Sequence, residues 1–233
     1  MKTKQNRIIS AFLALVIAGA TLLTACDNCG GDGGAYDDVS LPNANERTPE
    51  VQATLTSKAM DIFQNSENLL FEIDISGLNV TFYRRGDDIV VLLLDVLAFM
   101  VVDGYYYDFA HDKGTVTRRP ATEADVEGVM DTVMTFGELI QLDGAAFVAS
   151  GRETFLGTAD VFYEEFIDQE RTPRKAYFDG DGNLVGIMRE VHDENLPNVA
   201  MQQFRASLSE EVDQWVFDIT MWADFELVDK HPE

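Results

Sequence analysis

The chain has 233 residues, with 17 basic against 41 acidic side chains and a formal charge of −24, a length that suits one domain with a substantial core. A charge of that sign excludes nucleic-acid binding, which needs a basic stripe to meet phosphates, and it excludes a polybasic membrane surface. Two cysteines are too few for a disulfide framework or a thiolate zinc site.

The first 25 residues read as an export signal peptide. Lys2, Lys4 and Arg7 form a basic start, Ile8 to Leu23 are almost wholly apolar, and no acidic residue precedes Asp27. The apolar run falls short of the ~20 residues that a spanning helix needs, and it matches a secretory signal. It closes on Leu23-Thr24-Ala25-Cys26, which resembles the lipobox of bacterial lipoproteins. The resemblance implies cleavage between Ala25 and Cys26 and diacylglycerol on the Cys26 thiol. It also implies an extracytoplasmic protein anchored at the outer face of the cytoplasmic membrane. In the enteric lipoproteins that the pattern is similar to, Asp27 implies retention at the inner membrane. Removing the signal peptide takes three basic and no acidic side chains, so the charge falls from −24 to −27. Cys26 and Cys29 also spell C-x-x-C, but a lipidated Cys26 serves neither redox nor metal chemistry, and Cys29 is left as a spare thiol.

Residues 26–50 are rich in Gly, Asp, Asn and Pro, the composition of a flexible tether, and a single domain is expected over 51–229. Leu55, Ala59, Ile62 and Phe63 recur at helical spacing and predict a helix over 53–64. The period then changes to two. Phe71, Ile73 and Ile75 alternate with polar residues, as do Val80 and Phe82, which predicts a hairpin turning near Gly77. Residues 89–102 are apolar on both faces apart from Asp95, too short to span a bilayer as a helix. They read as one long bulged strand or two short ones, in need of apolar cover on both sides. A hairpin follows over Tyr105–Phe109 and Thr115–Arg118. Thr122 and Asp125 cap a second predicted helix over 122–141, which carries Val126, Val129, Met130, Val133, Leu139 and Ile140. Strands are expected at 146–156, 158–167, 175–179 and 184–191, with 193–200 as a loop and a last strand through Trp215–Trp222.

This layout is α+β, mainly β: a curved antiparallel sheet, an unclosed half-barrel, with two helices packed on its concave face. Three phrases stand out along it. They are Asp103-Gly104-Tyr105-Tyr106-Tyr107-Asp108, then Gly151-Arg152-Glu153-Thr154-Phe155-Leu156-Gly157 with Tyr163-Glu164-Glu165-Phe166, and last Tyr177-Phe178-Asp179-Gly180-Asp181-Gly182-Asn183-Leu184. In that order they resemble the bacterial LolA/LolB-like lipoprotein-carrier superfamily over roughly residues 51–220. The resemblance implies a half-barrel whose apolar face, lidded by helices, holds an acyl chain or lipid.

Asp179, Asp181, Asn183 and Glu190 occupy oxygen-ligand positions of a calcium-loop template, yet Leu184 stands where that loop needs glycine, so a hairpin turn is expected there. His111, His192 and His231 lie outside any metal or hydrolase motif. Adjacent carboxylates such as Glu164-Glu165 and Glu210-Glu211 arise from composition, and no catalytic residue, metal site or cofactor is expected. Arg84-Arg85, Arg118-Arg119 and Arg171/Arg174-Lys175 are read as strand-end charges guarding sheet edges, with a lipid-headgroup patch as the alternative. The expected function is binding of a lipid or other apolar ligand in the half-barrel cavity. The alternative is a cell-envelope interaction module with a filled core.

Overall fold

The computed structural model describes residue 36 and residues 38–75, 77–110, 113–126, 142–191, 200–222 and 226–229. Ala25, Cys26, the three histidines and residues 127–141 of the second predicted helix lie outside the described residues.

Two antiparallel meanders make one sheet. The first comprises β1 (Asn68–Ile75), β2 (Leu78–Arg85), β3 (Asp88–Leu93), β4 (Val96–Val102), β5 (Tyr105–Ala110) and β6 (Thr115–Pro120). The second comprises β7 (Ala146–Phe155), β8 (Thr158–Ile167), β9 (Pro173–Phe178), β10 (Leu184–Val191) and β11 (Ala200–Ser209). They join where β1 pairs antiparallel with β11, Phe71 lying opposite Leu208. With β12 (Glu226–Asp229) beside β6 the sheet has 12 strands among the described residues, where β7 and β12 are its unpaired edges and it does not close. The architecture is α+β, mainly β, an open curved sheet.

The doubly apolar stretch at 89–102 is two strands. Leu94 and Asp95 join them with φ of 52° and 62°, the left-handed pair that suits the twist of a tight hairpin. Neither is glycine or asparagine, so the usual turn signal is missing. Both faces of these strands are covered. Ile89, Phe99 and Val101 belong to the cluster that includes Met60 and Phe63 of a helix, whereas Val90, Met100 and Val102 pack with Val216 and Phe217.

That helix, α2 (Leu55–Asn65), follows a single turn, α1 (Pro49–Gln52). Its buried stripe of Ala59, Met60 and Phe63 seats on β1 and neighbouring strands, with Phe63 edge-on to Phe71 at 5.2 Å. We call this side of the sheet the helix face and the other the far face.

Three expectations are corrected and one strand is added. Residues 38–48 were expected in the tether but lie on the domain: Gly144 N–H donates to the Glu46 carbonyl at 3.0 Å, and Arg47 pairs with Asp61 at 3.2 Å. Trp215–Trp222, expected as a strand, forms two short 3₁₀ turns, Gln214–Phe217 and Ile219–Trp222. Asp218 between them accepts from the Thr220 N–H and hydroxyl, a local bond that competes with strand pairing. β11 was not anticipated, although Phe204, Ala206 and Leu208 alternate with Gln203, Arg205 and Ser207 as a half-buried strand should. Finally, the sheet is not wholly antiparallel, because β12 runs parallel to β6.

Candidate functional site

Glu164 and Glu165 are neighbours on β8, so their side chains point to opposite faces. Glu164, only 6% exposed, meets the start of α2 on the helix face. Its carboxylate accepts from the backbone N–H of Leu55 at 3.0 Å and of Thr56 at 2.8 Å, and from the Thr56 hydroxyl at 2.7 Å. Thr54 caps the third donor by accepting from Ser57 N–H at 3.0 Å. The free donors at this helix end are thus taken up, and the negative charge lies at the positive end of the helix. At the other end Arg84 donates to the carbonyls of Phe63 at 3.0 Å and Ser66 at 2.6 Å.

The remaining basic clusters are also internally engaged. Arg85 pairs with Asp88 at 2.7 Å and lies 4.3 Å over the Phe217 ring, which ties the 3₁₀ segment to the sheet. Arg174 pairs with Asp168 at 2.7 Å. Arg119 holds Asp125 through two bonds of 2.6 and 2.7 Å, and Asp125 accepts from the Thr122 N–H and hydroxyl, the expected N-terminal cap of a helix that starts at 123.

The Arg119 bond holds the Asp125 carboxyl at about 2, well below its ordinary value. Because the folded-state value is the lower one, the unfolded chain takes up the proton first. Asp125 therefore stabilises the fold fully above about pH 4, and this contribution is lost as the pH falls toward about 2. Asp125→Asn is expected to flatten that part of the acid-unfolding curve, followed by circular dichroism. An unchanged curve would refute the assignment.

On the far face Glu165 faces a compact polar cluster. Lys175 pairs with Glu153 at 3.0 Å, lies 4.0 Å from Glu165 and sits 4.2 Å from the Tyr163 ring centroid. The Tyr177 hydroxyl donates to Glu153 at 2.6 Å. Burial, reinforced by that carboxylate, pushes the Tyr177 phenol well above its usual value, so it stays a neutral donor. The Tyr36 hydroxyl completes the cluster by donating to Glu165. With its charges paired, this cluster organises the face and leaves no free nucleophile among them.

Beside it, where the β7–β8 and β9–β10 turns approach, lies a cleft of about 440 Å³. Phe155, Val161 and Val185 supply apolar wall, and the charge is mixed, with Arg152 and Arg205 lining the cleft beside Asp160 and Asp179. Arg152 is paired with Asp160 at 3.2 Å in full view of solvent, a contact of little energetic weight. Arg205, exposed on β11, makes no ion pair among the described residues. Phe155 shapes the wall by stacking on Tyr177, ring centroids 4.0 Å apart. It lies so close over Gly186 that a Cβ there would come within 2.0 Å of its Cζ.

The Asp179 turn is a hairpin. Asp179 accepts from the N–H groups of Asp181 and Asn183 at 2.9 and 2.8 Å, and Gly182 supplies a φ of +84°. The Asn183 bonds draw the Asp179 carboxyl below its usual value. Among the described residues no three His, Cys, Asp or Glu side chains are placed to hold a metal ion, and no helix is long and apolar enough to cross a membrane. Arg205 and the cleft were not singled out in the sequence, because β11 was not read as a strand. The alternation around Phe204 is the signal that would have placed Arg205 on the face opposite the core. No protein-family profile matches the chain, and no curated protein matches it significantly.

Proposed function

We propose that this chain is an extracytoplasmic lipoprotein, anchored through Cys26 at the outer face of the cytoplasmic membrane, whose domain binds an apolar ligand with an anionic head. The carrying observation is the cleft, where the exposed guanidinium of Arg205, which makes no ion pair among the described residues, adjoins an apolar wall of Phe155, Val161 and Val185. A cleft with an apolar wall and a mixed polar rim suits a small amphiphile, and about 440 Å³ falls within the range of small-molecule sites. A fatty carboxylate or a lipid phosphate meets both demands. The role is one of binding, with no catalytic residue assigned. The likeness to LolA/LolB-like carriers points to the same ligand class.

A second reading, an interaction module without a small ligand, draws on the helix face, where Phe63, Phe71, Phe82 and Phe178 fill the described space. Titration of the detergent-free Cys26→Ser protein with a fluorescent fatty acid separates the two. Saturable uptake is expected, weakened about tenfold in Arg205→Ala, the worth of one charge-assisted contact of ~1.4 kcal/mol. Absence of uptake would sink the ligand reading and leave the interaction module. For the anchor, Cys26→Ser is expected to release the protein from membranes or leave its precursor unprocessed. Unchanged membrane association would refute lipidation at Cys26.

A further inference from the structure

The segment ahead of α1 runs round the end of the sheet from one face to the other. At its start Tyr36 sits on the far face, its hydroxyl on Glu165 and its carbonyl taking a bond from Arg171. Further on, Gln169 donates to the Pro42 carbonyl at 2.9 Å. Ala44 then lies against Gly144 so closely that a Cβ on Gly144 would stand 2.8 Å from its backbone. At the far end Arg47 reaches Asp61 of α2 on the helix face. We propose that this segment is a strap that delivers the anchored end of the chain to the far face, so that the far face, with Arg205, is turned toward the bilayer.

The inference rests on the reading of Cys26 as the anchored residue. Tyr36 lies ten residue steps beyond Cys26, and covalent geometry limits that span to about 35 Å. Were the chain free as far as Val51, as its composition suggests, the limit would be about 85 Å. A domain of this size has a radius of gyration of roughly 16 Å and so a diameter of about 40 Å. The longer leash lets any face meet the membrane. The shorter one starts on the far face and spans about one domain diameter only when fully extended, so it holds that face nearer the membrane than α2. The cleft partner is then the outer leaflet of the membrane that holds the protein, and its ligand comes from that leaflet rather than from solution.

The test anchors the chain without relying on natural lipidation. The form lacking the signal peptide and carrying Cys29→Ser has Cys26 as its one thiol, which couples to maleimide-headgroup lipid in phosphatidylcholine vesicles. A clickable azido residue at position 203 on the far face, or at position 58 on α2, carries a fluorophore, and nitroxide-headgroup lipids quench it. Quenching is expected to be several-fold stronger at 203 than at 58. The ratio should fall to near unity when Tyr36→Ala and Arg171→Ala release the strap, and equally when a long Gly-Ser insert before Tyr36 lengthens the leash and leaves every strap contact in place. Equal quenching with the strap intact would overturn the proposal, as would a ratio that neither change moves. Loss of the Cys26 lipidation reading is seen separately, in membrane fractionation of Cys26→Ser.

Discussion

Replacing Glu164 by alanine is expected to destabilise the domain by about 3 kcal/mol, because it strips the acceptor from two backbone N–H groups and a hydroxyl that stay buried. The loss is of the unsatisfied-donor kind, each such group costing about 1–3 kcal/mol. The favourable charge at the helix start disappears with it. Leu55 N–H, Thr56 N–H and Thr56 Oγ1 all point at this one carboxylate, and Glu164 is 6% exposed, so water does not readily replace it. For a domain of this size the melting temperature should drop by roughly 6–12 °C. Glu164→Gln keeps one acceptor oxygen and should cost about half as much. Thermal and urea unfolding followed by circular dichroism measure both. A loss below about 1 kcal/mol in the alanine variant, the size of one net hydrogen bond, would show that α2 is held by its apolar stripe alone.

Gly186→Ala is the second large effect. The new methyl group meets Phe155 Cζ at 2.0 Å and the Phe204 carbonyl oxygen at 2.8 Å, so either the ring leaves its stack on Tyr177 or β10 moves away from β11. Overpacking of this type costs about 2–3 kcal/mol. If the ring yields, a Phe155→Ala background should relieve much of the cost, giving a coupling of about 1–2 kcal/mol in a double-mutant cycle. Displacing Phe155 also reshapes the cleft wall, so fatty-acid uptake should weaken together with stability. Independent, additive losses would mean that the strand, not the ring, gives way.

Much of the fold was legible because strand and helix periods are local. The alternation through Phe71, Ile73, Val80 and Phe82, the stripe of Ala59 and Phe63, and the cap of Thr122 on Asp125 each need only a few neighbouring residues to declare themselves. Where local chemistry was ambiguous, the reading stayed open or failed. Leu94-Asp95 makes a hairpin without the usual turn residues. Trp215–Trp222 is as apolar as a strand, yet Asp218 captures Thr220 and turns the segment into a cover over Val90 and Met100. The site was less legible than the fold, since Arg205 acquires meaning only from the β7–β8 and β9–β10 turns that approach it. Glu164 and Glu165 are the sharpest case. In the sequence they are an acidic pair in an acidic protein, but in the sheet one caps a helix from the helix face and the other receives Tyr36 on the far face.

By itself the sequence determined the strand periods and most of the hairpins, and it carries the lipobox-like Leu23–Cys26 on which the proposed anchor rests, each written within about ten residues. Only the tertiary structure decided that the two meanders join through β1 and β11, that β12 runs parallel to β6, and that Tyr36 to Arg47 is a strap on the domain rather than a free tether. The reason is that each of these contacts joins segments far apart along the chain. Glu165 lies 129 residues from Tyr36, and no local period announces a partner at that distance. A segment with few apolar side chains, too polar to build a core of its own, is held because the domain supplies the carboxylate, the guanidinium and the bare Gly144 backbone against which it lies.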